Sequence, residues 1–192
     1  MAHHILLHRR KEAIWYLESR ETLVDLVLSF GREILQSPNM QSERRYPQHG
    51  LTDCFTHSIC VAYMSLRVAE VLHIRIDPRS MVRGALLHDY FLYDWHDKAH
   101  ACRFHTFCHP MVALRNAEAE FTLNPVERDI IRKHMFPLCF PLPRYKESFI
   151  ISIADKCCAA SEIWHLYSLR RIIDALERGM QTWQARWQID AK

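Results

Sequence analysis

Residues 52–90, TDCFTHSICVAYMSLRVAEVLHIRIDPRSMVRGALLHDY, decide the fold class. Ile59, Tyr63, Leu66, Ala69 and Val71 recur at the spacing of one helical face, not with the alternation of a strand. Asp77-Pro78 then opens a second helix, because an aspartate accepts from the free amides of a first turn and a proline at the first helical position gives up no hydrogen bond. That helix ends in Gly84-Ala85-Leu86-Leu87 followed at once by His88-Asp89. A carboxylate placed directly after such an apolar run is costly unless something pairs with it.

The same pattern extends outward. Leu23, Leu26, Val27, Phe30 and Ile34 form an apolar stripe upstream, and downstream Asn124-Pro125-Val126-Glu127 reads as a capping box with proline at its first position. His109-Pro110 reads as a helix start at Pro110. The chain holds four glycines and no Asn-Gly or Asp-Gly hairpin signal, which argues against a β-rich fold. The prediction is an all-α, single-domain protein of about seven helices, near 10–36, 52–73, 78–90, 110–121, 125–135, 147–165 and 168–187. Its motif-bearing core runs from about 50 to 165, with the first and last helices packed on it. Ser37 to Gly50 (SPNMQSERRYPQHG) is polar and aperiodic and reads as a loop or lid, in which Arg44 and Arg45 either reach an anionic ligand or are solvated charges. Trp183 and Trp187, four residues apart, form a stripe packing on the body or on a second subunit, so a homodimer is compatible with the sequence.

With 49% hydrophobic and 24% charged residues the chain has a globular composition, not a disordered one. A formal charge of +3, evenly spread, gives no electrostatic reason to expect nucleic acid or a membrane as partner, and leaves small acidic substrates open. The seven cysteines (54, 60, 102, 108, 139, 157 and 158) show no paired framework and read as reduced thiols of a cytoplasmic protein. No stretch approaches the ~18 apolar residues of a membrane span. His3, His4 and His8 read as a solvated terminus without a role.

The chemistry resides in six scattered residues: His57 inside the second predicted helix, the pair His88 and Asp89, His109 before Pro110, His134 at the end of IIRKH, and Asp155 within the apolar run FIISIAD. Each alone has a plain explanation, as a cap or a hydrogen-bonded interior residue. Together they are the imidazole and carboxylate set that a transition metal draws from facing helices.

The order His57, His88-Asp89, Asp155, with GALLHD before and IADK after, resembles the H…HD…D signature of the HD superfamily of metal-dependent phosphohydrolases. HPMVAL and IIRKH are similar to segments of the two-metal branches, among them the HD-GYP cyclic-dinucleotide phosphodiesterases and the bacterial diadenosine tetraphosphate hydrolases. The resemblance implies a helical HD-domain fold in which His57, His88, Asp89 and Asp155 hold one metal. It further implies that His109 and His134, with a bridging Asp89, hold a second. Iron or manganese suits such ligands, and the implied substrate is a small phosphate ester or nucleotide. The chain departs from those branches at Leu92, where they carry lysine or glutamate, and in lacking a GYP motif. A di-iron oxygenase similar to myo-inositol oxygenase, or a non-catalytic metal- or nucleotide-binding regulator, would use the same ligands. Asp94, His96 and His105 are candidates for a proton donor beside Asp89, or for support of the ligands. Lys133, Lys156 and Arg83 are candidates for steadying a phosphate.

Overall fold

The computed structural model describes residues 20–48, 52–97, 104–163 and 173–182, and every regular element among them is helical. The order is α1 (Arg20–Phe30), α2 (Arg32–Leu35), α3 (Pro38–Ser42), a 3-10 turn (Glu43–Arg45), α4 (Cys54–Val71), α5 (Pro78–Leu87), α6 (His105–Glu120), α7 (Pro125–Lys133) and α8 (Lys146–Ile163). A further helical segment covers 173–182. Among the described residues no helix is long and apolar enough to cross a membrane. The N-terminal histidines and the Trp183/Trp187 stripe lie outside the described residues.

Helix α4 is the centre. Asp53 caps it, accepting from the Thr56 amide at 2.7 Å, and Phe55, Ile59, Tyr63 and Leu66 are buried along it. It packs against α5 and α8, α5 packs on α7, and α1 covers α4 and α5. The caps read from sequence form as expected. Asp77 accepts from Arg79 N at 3.1 Å, while Asn124 and Glu127 exchange bonds with each other's backbone. Close approach of α5 to α7 depends on Gly84, where an added Cβ would lie 2.6 Å from Ile130 Cδ1 and 3.0 Å from its Cβ. This pair of helices ends side by side, and the residues immediately after them carry the site.

Three local expectations change. The Ser37–Gly50 stretch, expected as a loop, contains α3 and the 3-10 turn: Ser37 caps α3 by accepting from Met40 N at 3.1 Å, and Met40 and Glu43, one turn apart, point into the core. Pro110 does not start its helix, which begins five residues earlier at His105. A proline there leaves the Thr106 carbonyl without its amide partner, and Cys139 Sγ takes that carbonyl at 3.5 Å. The helix expected over 10–36 is interrupted at Gly31, although Gly31 N→Val27 O (2.9 Å) and Leu35 N→Gly31 O (2.8 Å) carry the backbone bonds through the bend.

The cysteines also divide. Cys54, Cys60, Cys139, Cys157 and Cys158 are free thiols, whereas Cys108 is disulfide-bonded. Uniform reduction is therefore not what the structure shows.

Candidate metal centre

Five helices deliver the six residues to one place. His57 sits in the first turn of α4, His88 and Asp89 follow the last residue of α5, His109 lies in α6, His134 follows the last residue of α7, and Asp155 lies midway along α8. All six are buried. His88 and His134 occupy the C-caps of α5 and α7, the negative ends of the two helix dipoles, which favour a cation.

The ring tautomers follow from the neighbours. The Nδ1 atoms of His88, His109 and His134 lie 2.7, 2.8 and 2.9 Å from the carbonyl oxygens of Ala85, His105 and Ile131. A carbonyl only accepts, so each Nδ1 carries the hydrogen and each Nε2 presents a lone pair. In His57 the Nδ1 faces the Glu162 carboxylate at 3.0 Å, with the same consequence. All four Nε2 atoms therefore converge on the two aspartates.

Asp89 divides them. Its Oδ2 lies 3.4 Å from His88 Nε2 and 4.0 Å from His57 Nε2, while its Oδ1 lies 3.3 Å from His109 Nε2 and 3.4 Å from His134 Nε2. Asp155 Oδ1 adds a contact of 3.1 Å to His57 and 3.7 Å to His88. Two three-residue groups, His57/His88/Asp89 and Asp89/His109/His134, thus have ligand atoms within 4.8 Å of one another. Both share Asp89, and these buried groups could hold a metal ion.

Two features fit a cation. The Nε2 atoms of His109 and His134 stand 2.8 Å apart, a facing of lone pairs that only a proton or a metal between them makes attractive. His88 Nε2 and Asp89 Oδ1 are fully buried without a hydrogen-bond partner, a state that costs about 1–3 kcal/mol per group or more when charged.

No family model, curated protein or solved structure matches the chain.

The protonation balance is that of a tightly packed ion cluster. Burial alone pushes Asp89 and Asp155 up, but the His88 charge and the His109 and His134 rings hold Asp89 well below the usual carboxylate range, and His57 and His88 do the same for Asp155. Burial pushes His57 down, and the Glu162 and Asp155 carboxylates more than reverse it. His134 stays below its ordinary value because burial exceeds the help from Asp89.

The other expected residues are placed differently. His105 stacks on His109 (4.6 Å between ring centres) and on Trp95 (5.2 Å), with Nδ1 3.0 Å from Tyr93 OH. Burial and the His109 charge lower it to about 4, so near pH 7 it is a neutral ring supporting His109. Asp94 and His96 pair with each other at 3.2 Å, both well exposed. Arg83 lies inside the α5/α7 contact, its guanidinium engaged by Glu127 (2.9 Å), Glu33 (2.8 Å) and the Thr122 carbonyl. Lys133 is held by Asp129 at 2.5 Å. Lys156 Nζ donates to His134 O, Ser152 O and Ser152 Oγ at 3.0, 3.0 and 3.1 Å, which uses its three hydrogens to fasten the His134 carbonyl to α8. Arg44 covers the Phe55 ring at 3.8 Å, and Arg45 Nε contacts Ser42 O.

Three site residues escaped the sequence reading. Gln48 donates to Asp89 Oδ2 at 2.5 Å and accepts from Cys54 Sγ at 3.3 Å. Glu162 lies seven residues beyond Asp155, two turns along the same face of α8, a spacing that was legible. Glu43 is fully buried with neither carboxyl oxygen bonded, and burial together with the Asp89 and Asp53 charges raises it well above the ordinary range. A glutamate inside a polar 3-10 turn carries no sequence signal of burial.

Proposed function

We propose that the protein is a metal-dependent phosphoric ester hydrolase of the HD type, acting on a small phosphate ester or nucleotide with iron or manganese as the ions. The observation that carries the proposal is the convergence of four imidazole Nε2 atoms on two buried carboxylates, with each Nδ1 tied to an acceptor outside the group. Tautomers locked in this way are the preparation that imidazole ligands need. Mixed imidazole and carboxylate donors suit iron and manganese.

When bound, such ions lower the pKa of a water and neutralise charge on a phosphoryl group. The chain's own residues supply the frame. Asp89 offers one oxygen to each histidine pair, and Gln48 fixes its rotation. Glu162 holds the His57 ring, and the stack of His105 on His109 holds the other side. Arg83, Lys133 and Lys156 are all engaged in structural pairs, so the charge of a bound phosphate falls to the ions rather than to side-chain cations.

The test combines metal content with phosphate release under anaerobic conditions. Protein loaded with iron or manganese is expected to release phosphate from some member of an ester and nucleotide panel, and Asp89→Ala is expected to lose metal and turnover together. Full metal retention by Asp89→Ala would overturn the proposal. Oxygen consumption without phosphate release would assign the site to oxygenase chemistry instead, and nucleotide binding without turnover would make it a regulator.

A further inference from the structure

The chain leaves α5 through His88 and Asp89, and the buried residues Tyr90 and Phe91 come next. Beyond a helix end a backbone carbonyl has no ladder amide to accept from, and a buried one needs another partner. Here both carbonyls turn to one side chain. Asn116 of α6 donates from Nδ2 to Tyr90 O at 3.0 Å and to Phe91 O at 3.1 Å. A carbonyl only accepts, so it is the amide nitrogen that faces them, and both of its hydrogens are used.

The turn held in this way is a constrained one. Phe91 N donates back to Asp89 O at 2.8 Å, and Leu92 adopts φ 61°, a left-handed conformation that L side chains rarely take and that persists only where neighbours hold it. The same face of α6 reaches the turn at two further points. His109, two helical turns before Asn116, places Nε2 3.3 Å from Asp89 Oδ1, and Glu120, one turn after it, accepts from Tyr90 OH at 2.6 Å. The small, buried Ala113 and Ala117 lie between these points. Asp89 Oδ2 has a separate tie, to Gln48 from the segment before α4, at 2.5 Å. The two oxygens of Asp89 are thus placed by different parts of the fold.

We propose that Asn116 is a positioning residue: by holding the two carbonyls after Asp89 it sets the spacing between Asp89 Oδ1 and the His109 ring, and so the geometry of the group Asp89/His109/His134. The other group, His57/His88/Asp89, draws on α4, the end of α5 and the Oδ2 atom that Gln48 fixes, and does not depend on this clasp. The inference deepens the metal-dependent reading and rests on it for its consequence in ion binding, while the clasp itself belongs to the metal-free chain. Without the two bonds α6 is free to shift against the end of α5, and a site whose ligand distances tolerate only about 0.2 Å loses affinity.

The test compares Asn116→Ala with Leu114→Ala, a control on the same helix whose side chain packs against the core. Manganese alone is titrated into the chelated full chain by calorimetry. Asn116→Ala should bind the first ion as wild type does and the second about 10–100-fold more weakly. Leu114→Ala should lower the thermal midpoint while moving neither affinity by more than about twofold. The ring-nitrogen resonances of the histidines give a readout with no metal present. In chelated Asn116→Ala the His109 Nε2 resonance should move, because Asp89 Oδ1 no longer stands at the same distance, and the His57 ring, held by Glu162, should not. The proposal is overturned if Asn116→Ala leaves the His109 resonance in place, or if Leu114→Ala moves that resonance or weakens the second ion equally. A wild type that binds no manganese, with the His109 resonance still moved by Asn116→Ala, would refute the metal reading and keep the positioning role.

Discussion

Replacing Gly84 by alanine tests the link between helix packing and the candidate metal centre. The new Cβ would stand 2.6 Å from Ile130 Cδ1, 2.9 Å from Cγ2 and 3.0 Å from Cβ, where carbon atoms prefer about 3.5–4.0 Å. A rotamer change can remove Cδ1 from the way, but the Ile130 Cβ is fixed to α7. Helices α5 and α7 must therefore part by something on the order of 0.5 Å. Overpacking of this kind costs about 1–3 kcal/mol, and alanine returns about 1 kcal/mol of helix propensity over glycine. The expected net loss is up to about 2 kcal/mol, or a thermal midpoint lower by up to about 8 °C in a chain of this length. His88 and Asp89 follow α5 and His134 follows α7, and metal-ligand distances tolerate only about 0.2 Å. Metal affinity should therefore fall about tenfold, as it does when the supports of a metal site are disturbed. Differential scanning fluorimetry and a competition titration against a chelating dye measure the two effects. Ile130→Ala should destabilise by about 2–5 kcal/mol on its own, and adding Gly84→Ala to it should recover part of that loss because the methyl enters the cavity. A Gly84→Ala protein that melts at or above wild type, with unchanged metal affinity, would refute the reasoning.

Other consequences are as direct. After chelation, manganese or iron at a thousandfold over its dissociation constant should stabilise wild type by about 4 kcal/mol, a rise of about 8–16 °C, with almost none in Asp89→Ala; equal shifts would count against Asp89 as a ligand. His134→Ala should lower saturating metal content from two ions per chain toward one, read by metal mass spectrometry, and an unchanged stoichiometry would show that His134 supports rather than binds. Glu43 is raised above its unfolded value, so its contribution to stability is present below about pH 4 and is lost as pH rises toward the folded value. Chelated Glu43→Gln should therefore lose less stability than wild type between pH 5 and pH 8 in denaturant melts, and parallel curves would contradict its neutral burial. For Asp129 burial pushes up, but Lys133, the Arg144 amide and Ser148 hold it below the usual range, so its contribution is present above about pH 4 and lost as pH falls. Asp129→Ala should cost about 1.5–3 kcal/mol at pH 7 and progressively less in acid, a difference that pH-dependent urea midpoints would reveal.

Periodicity and capping residues were enough to place α4, α5 and α7, because their signals are local: an apolar face, a side-chain oxygen ahead of a first turn, a proline where no amide is needed. The residues that the structure gathers into one His/Asp cluster were visible as residue types, since a carboxylate after GALLH or IISIA needs a partner wherever it folds. Local signals misplace the start of α6, because the carbonyl that Pro110 leaves free is satisfied by Cys139, twenty-nine residues later. They also miss α3, whose two inward residues are too few to show a period. The roles of the basic residues were set by tertiary neighbours alone: Arg83 and Lys156 look alike as isolated cations, yet one serves the α5/α7 contact and the other fastens the His134 carbonyl. The same holds for Gln48, Glu162 and Glu43, each brought against the cluster by packing across forty or more residues of sequence or by a short turn without periodicity. A sequence fixes which side chains are available and which segments coil. Only the packing of those segments determines which lone pairs face one another, and hence where a cation could be held.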